Sequence, residues 1–171
     1  GAVFGLNNVI QLSSRRAFPA WGSFTLWGEF NVQFVENPQP NNVCEWGFFI
    51  ATGTATPTDG CFFRINALGE FRAVVNLNGT EIQSGSLDFA GLVGAGNTRT
   101  FLIGVHNDSV TFWINDVMVY SHDLAPAAAS IVSTQALPVA FRNYYPIAGS
   151  APGQQMKIGA ANLTLGEYHG T

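Results

Sequence analysis

A chain of 171 residues and 18.3 kDa, 47% hydrophobic, 13% aromatic and only 11% charged, has the size of one domain and a composition that excludes disorder. Seven Lys+Arg against eleven Asp+Glu leave a formal net charge of -4 at pH 7, with no basic footprint for a phosphate backbone or an anionic lipid surface. Neither nucleic acid nor a membrane is therefore expected as a partner, and no apolar run approaches the roughly 20 residues of a spanning helix. The chain opens on Gly1 rather than Met, as a trimmed or partial product would.

Residues 1–20 read as an N-terminal arm, after which period-2 alternation dominates. From 24 to 35, Phe24, Leu26, Gly28, Phe30, Val32 and Phe34 share one face, and Thr25, Trp27, Glu29, Asn31 and Gln33 the other. Strands follow over 44–52 and 61–66, separated by TGTATPTDG, a loop whose Thr, Gly and Pro interrupt any strand and mark it for exposure. Residues 70–77 alternate through Phe71, Ala73, Val75 and Leu77 into Asn78-Gly79. Both turn positions tolerate positive φ, so the chain should fold back through Glu81, Ile82 and Gln83.

After GLVGAGN come runs at 99–106, 109–114 and 117–120, joined by tight turns at Asn107-Asp108 and Asn115-Asp116 into a three-strand meander. LAPAAASIVSTQA is the one helix candidate, but Pro126, Ser130, Val132 and Thr134 reduce it to a loop with at most one helical turn. Strands at 139–144 and 156–165 close the chain around the loop PIAGSAPG. About ten to twelve short strands with frequent turns predict an all-β fold, a two-sheet antiparallel β-sandwich that makes one domain of residues 1–171. Its core should gather Phe30, Val32, Phe48, Ile50, Phe63, Ile65, Val75, Ile103, Phe112 and Ile114.

Cys44 and Cys61 each begin an apolar run. A disulfide needs those strands to be neighbours; the alternative is two small reduced core residues. His106, His122 and His169 are too scattered to announce a metal or nucleophile site. Asn107, Asp108, Asn115 and Asp116 are better explained by turn chemistry than as calcium ligands beside Asp59. No metal and no cofactor are expected.

Glycoside hydrolysis needs two carboxylates across one cleft, and Glu29 and Glu45 are the best available pair. Sugar recognition instead needs aromatic platforms beside amides or acids, and Trp27, Trp113, Tyr144 and Tyr145 are the candidate ligand-binding rings. Trp27 and Trp113 fall opposite the most apolar residues of their own strands, where a platform would be. A ring covered by another copy or by the second layer of the sandwich would sit there too, and these readings rank first. Sequons at Asn78, Asn107 and Asn162 fit a glycosylated secreted protein, and chance also supplies such matches. With Lys157 as the single lysine, little charge guards the edge strands, so other copies or other proteins are expected to cover them.

The succession GFFI, DGCFFRI, GEFRAVVNLNGTEIQSGSLDF, RTFLIGVHNDSVTFWINDVMVY, LPVAFRNYYP and MKIGAANLTL resembles the concanavalin A-like lectin and laminin-G jelly-roll superfamily over roughly residues 24–166. In that superfamily a V-x-F-x-I-N/D-D/G run is a middle strand entering a turn, here residues 110–116. The G-x-F-F-R pattern followed by F-W-I-N-D also resembles structural proteins of tailed-phage virions.

The resemblance implies a fold that hosts lectins, adhesion modules, hydrolases and capsid appendages alike. Its retaining hydrolases place acids as E-x-D-x-x-E on one strand, a pattern this chain lacks, so the chain is expected not to be an enzyme. The leading expectation is a structural or recognition module on a virion surface, a capsid decoration or fibre component whose partners are its own copies or virion proteins. The alternative is an extracellular carbohydrate-binding domain of a secreted protein with glycans as partners; a glycoside hydrolase ranks third.

Overall fold

A computed structural model describes residues 9–21, 24–124, 132–146 and 154–167. The alternating runs become β1 (Val9–Pro19), β2 (Phe24–Phe34), β3 (Val43–Phe49), β4 (Gly60–Ile65), β5 (Phe71–Leu77) and β6 (Thr80–Gln83). One helical turn, α1 (Phe89–Leu92), precedes β7 (Thr98–Val105), β8 (Ser109–Ile114), β9 (Val117–Asp123), β10 (Ala136–Tyr144) and β11 (Met156–Glu167). The strands form two antiparallel sheets, one six-stranded in the order β1-β10-β3-β4-β5-β6 and one five-stranded in the order β11-β2-β7-β8-β9.

The inward half of each run is apolar because the sheets face each other across a shared core. Trp46 on β3 lies near its centre, stacked on Phe63 at 5.7 Å and Phe71 at 5.9 Å, with Phe34 and Phe101 each 5.0 Å away from the opposite sheet. Phe30 meets Phe48 and Phe141 edge-on, and Phe63 meets Phe112. Nine of the ten expected core residues are buried. Ile50 is not: at 37% exposure it lies outside the core. β3 ends at Phe49, and the chain turns away through the Ile50 N–H to Asp59 carbonyl and Thr58 N–H to Ile50 carbonyl bonds.

All three expected turns join neighbouring strands, but Asn107-Asp108 does so without positive φ, closed by the His106 N–H to Ser109 carbonyl bond at 2.8 Å; the other two are left-handed. Asn78 and Gly79 have φ of 50° and 79°, and Asn115 and Asp116 have 46° and 65°, the left-handed pair that a two-residue hairpin turn requires. The meander β7-β8-β9 is present, with β9 running on to Asp123.

Other expectations are corrected. Residues 9–19 are not an arm but an edge strand, held to β10 from Val9↔Tyr144 to Pro19↔Ala136. A helical turn that the sequence does not announce forms at Phe89–Leu92, where burial of Phe89 against Phe34 and Phe71 fixes it; four residues are too few to show helical periodicity. Residues 125–131 of LAPAAASIVSTQA and 147–153 of PIAGSAPG lie outside the described residues.

Cys44 and Cys61 sit on neighbouring strands, yet Cys44 pairs with Ile65 and Cys61 with Phe48. Antiparallel pairing sends the starts of two adjacent strands to opposite ends, so the thiols are four register positions apart, beyond disulfide reach. Both are free and buried, and burial pushes both thiols up.

Candidate functional site

Each sheet has an outer face, and the two differ in chemistry. On the six-stranded sheet, one outward charged residue from each of three adjacent strands falls in a row: Arg142 on β10 is in register with Glu45 on β3, which is in register with Arg64 on β4. Arg64 Nε donates to Glu45 Oε1 at 2.7 Å and its Nη1 to Glu81 Oε1 at 2.7 Å; Arg142 Nε donates to Glu45 Oε2 at 2.6 Å. Burial alone would lower the Arg64 pKa, but Glu45 and Glu81 override it and raise it.

This row is closed to ligands. Glu45 and Arg142 are fully buried. The loop of residues 50–58 folds across them, and the carbonyls of Gly53 and Ala55 each accept from Arg142 Nη1 at 2.8 Å. The loop expected to be exposed therefore shows solvent one side and seals the sheet with the other, with Pro57 buried. Phe49, Phe62, Val74 and Ala140 fill the rest of the covered patch as a small second core. Arg142 lies over the rings of Tyr144 at 4.5 Å and Phe49 at 5.8 Å. Burial, then the Glu45 charge, pushes the Tyr144 phenol up.

The outer face of the five-stranded sheet is more open. Trp27 on β2 is in register with Gly104 on β7, and Gly104 with Thr111 on β8. A Cβ at Gly104 would come within 2.5 Å of Trp27 Cζ3, 2.7 Å of Cη2 and 2.8 Å of His106 Nε2. The indole therefore reaches across from β2 and rests its six-membered ring on backbone that only glycine leaves bare. His106 stands edge-on to it, centroids 5.0 Å apart, and its Nε2 is hydrogen-bonded to Thr111 Oγ1 at 3.3 Å.

One row along, Asn162, Glu29, Leu102 and Trp113 line up across β11, β2, β7 and β8. Glu29 Oε1 accepts from Asn162 Nδ2 at 3.3 Å and Asn31 Nδ2 at 3.5 Å, and Thr100 Oγ1 donates to Asn31 Oδ1 at 2.8 Å. Trp27, Glu29, Leu102, His106, Thr111 and Trp113 are half-buried, and Asn162 is exposed. Trp113 Nε1 has no acceptor.

The structure thus brings together two of the four candidate rings. Trp27 and Trp113 share this open face; Tyr144 is buried under Arg142 on the opposite outer face, and Tyr145 is buried at the end of β10. Neither tryptophan is covered by the other sheet, as both point away from it. Glu29 and Glu45 also divide between the two outer faces, so they cannot flank one glycosidic bond. Among the described residues, no group of three or more His, Cys, Asp or Glu could hold a metal ion. Sequence reading missed Gly104 as the seat of Trp27, for no signal in β7 marks which strand lies beside β2. The Arg142–Glu45–Arg64 row had a signal, a single outward charge on each of three otherwise apolar runs.

No family model matches the chain, and no curated protein matches it. Solved structures do. A Bacillus licheniformis β-glucanase superposes with a TM-score of 0.61 at 10% identity, covering 93% of this chain and 71% of its own. The alginate lyase AlyC3 in complex with dimannuronate gives 0.57 at 10% identity, covering 95% and 72%. A prokaryotic β-1,3-1,4-glucanase (lichenase) derived from a mouse hindgut metagenome gives 0.57 at 12% identity, covering 92% and 67%. Likeness at such identity is likeness of fold: the chain is a concanavalin A-like jelly roll. These neighbours are carbohydrate-active enzymes and lend the virion resemblance no support.

Proposed function

We propose that the chain is a non-enzymatic carbohydrate-binding module that holds a neutral glycan on the outer face of its five-stranded sheet. One observation carries the reading: the half-exposed Trp27 indole, seated over Gly104 and buttressed by His106, beside a Glu29–Asn31–Asn162 network. Pyranose faces are apolar and their rims are hydroxyls, so a fixed ring next to a carboxylate and amides meets both needs. By sheet geometry the backbones under Trp27 and Trp113 stand about 12 Å apart, a span suited to an oligosaccharide rather than one sugar.

Charge selects the class. Glu29 stands on β2 two residues from Trp27, in the row that runs through Leu102 to Trp113, and the chain carries a net charge of -4, which disfavours polyuronates such as alginate and favours uncharged glucans. The absence of catalysis is supported by the separation of Glu29 from Glu45 and by the two guanidinium groups that occupy Glu45.

Calorimetric titration with soluble mixed-linkage β-glucan and with alginate tests this. The intact chain should bind the glucan, release no reducing ends, and lose binding on Trp27→Ala with little change in thermal midpoint. Undiminished binding by Trp27→Ala, preference for alginate, or no glycan binding at all would overturn the site. Turnover dependent on Glu29 would make the chain an enzyme.

A further inference from the structure

β1 and β11 are terminal strands of their sheets, and they lie on the same side of the sandwich. β2 packs across the core against both β1 and β3, and β11 is the neighbour of β2 that has no further strand beyond it. Residues directly opposed in an antiparallel pair share a face. Ile10 and Leu12 on β1 oppose Asn143 and Phe141, on the inward side of β10. On β11, Ile158 opposes Val32 and Leu165 opposes Leu26, both core residues.

These four side chains face inward, yet they are exposed by 63%, 60%, 38% and 51% for Ile10, Leu12, Ile158 and Leu165. Each sheet stops one strand short of covering them. Among the described residues, nothing pairs with the outer backbone edge of β1 or β11. Phe24, 48% exposed at the end of β2, extends the same strip.

We propose that this double edge is the contact surface for a second copy of the chain. About a twofold axis, β1 meets its own copy and β11 meets its own copy, both antiparallel, so that both sheets continue across the junction. Ile10, Leu12, Ile158 and Leu165 then close against their counterparts. Three observations select a copy over a foreign protein. First, a partner must offer two free edges one sheet spacing apart to satisfy both layers, and a second copy has them by construction.

Second, residues 9–14 and 158–166 carry no charge at all, and the arginines of β1, Arg15 and Arg16, fall at its register break between Ser13 and Ala17. With Lys157 and Glu167 at the ends of β11, the charges of the two edges are confined to the β1 bulge and the β11 termini, which leaves the apolar stretches open to pairing and offers no charged patch to select a different partner. Third, the size suffices. An eleven-residue strand runs about 36 Å, and two sheets about 10 Å apart with their flanking side chains offer on the order of 700 Å² per copy. Stable interfaces bury about 800 Å² per partner. The twofold arrangement is self-complementary and closes at two copies.

Sedimentation equilibrium of the full chain at micromolar concentration should give twice the 18.3 kDa chain mass. The double variant Ile10→Lys/Ile158→Lys changes residues already exposed in the single copy, so it should sediment at one chain mass with an unchanged far-ultraviolet spectrum. Val117→Lys, on the opposite edge at β9, should remain dimeric. In the unmodified chain, hydrogen exchange should show β1 and β11 amides protected at high concentration and released on dilution, which decides the matter even if the double variant misfolds. A single chain mass at every concentration would overturn the proposal. So would a dimer that survives the double variant, or protection that moves to β6 and β9.

Discussion

Gly104 matters because of what lies on it. Any side chain there would collide with both Trp27 and His106, so Gly104→Ala should push the indole off the sheet, weaken glucan binding in the direction of Trp27→Ala, and cost about 1–3 kcal/mol through overpacking. Titration with the glycan and chemical denaturation measure the two effects separately; unchanged binding would mean that the seat of the ring is irrelevant to recognition. His106 has a second consequence. Burial lowers its pKa below the ordinary 6.5, with Asp108 acting in the opposite sense. The native imidazole therefore takes up a proton less readily than the unfolded one, and between the lowered native value and 6.5 the unfolded chain binds more protons. The stability this group contributes is complete above pH 6.5 and is lost as pH falls from there through the native pKa. Trp27, Thr111 and Asp108 are the groups that face it. His106→Gln should flatten that part of the stability profile in urea titrations made above and below pH 6.5.

Among the elements, β3, β4 and β10 are tied together by charge as well as by their ladders. Glu45 uses both carboxylate oxygens on Arg64 and Arg142, and Arg142 has no solvent contact. Glu45→Gln leaves the fully buried Arg142 guanidinium without its counter-charge and Arg64 with Glu81 alone, and should cost about 3–5 kcal/mol in denaturant unfolding. It should also loosen the loop of residues 50–58, which Arg142 holds through Gly53 and Ala55, and limited proteolysis would detect that. A loss below what an exposed pair contributes, up to about 1 kcal/mol, would show that water already reaches the row. The strands themselves were legible, since each alternating run and each Asn-Gly or Asn-Asp turn is local chemistry. The end of β3 was not, because alternation continues through Ile50 while the backbone bonds that turn the chain come from Asp59 and Thr58. Nor was α1, which exists because Phe89 fills a gap beside Phe34 and Phe71.

At the scale of the molecule, the ladders join distant parts of the chain: β1 pairs with β10, and β11 pairs with β2, where Glu29 and Asn162 are 133 positions apart. Loops must close before such contacts reward them, so refolding should take milliseconds to seconds, as for other sandwiches; microsecond refolding followed by stopped-flow fluorescence would contradict this. If two copies join at β1 and β11 about an axis normal to the sheets, both Trp27 faces point the same way. A polymer could then engage two sites at once, and avidity would exceed the single-site affinity. The sequence by itself determined the fold class, the approximate strands and the residues that turn outward, because period-2 alternation and turn chemistry act within a few residues. Only the tertiary structure decided that Cys44 and Cys61 stand apart, that Tyr144 lies sealed with Arg142 while Trp27 stays open, and that residues 9–19 complete a sheet. Those outcomes depend on which strand lies beside which and on what folds over each face, and strand neighbours are chosen by packing across the whole core.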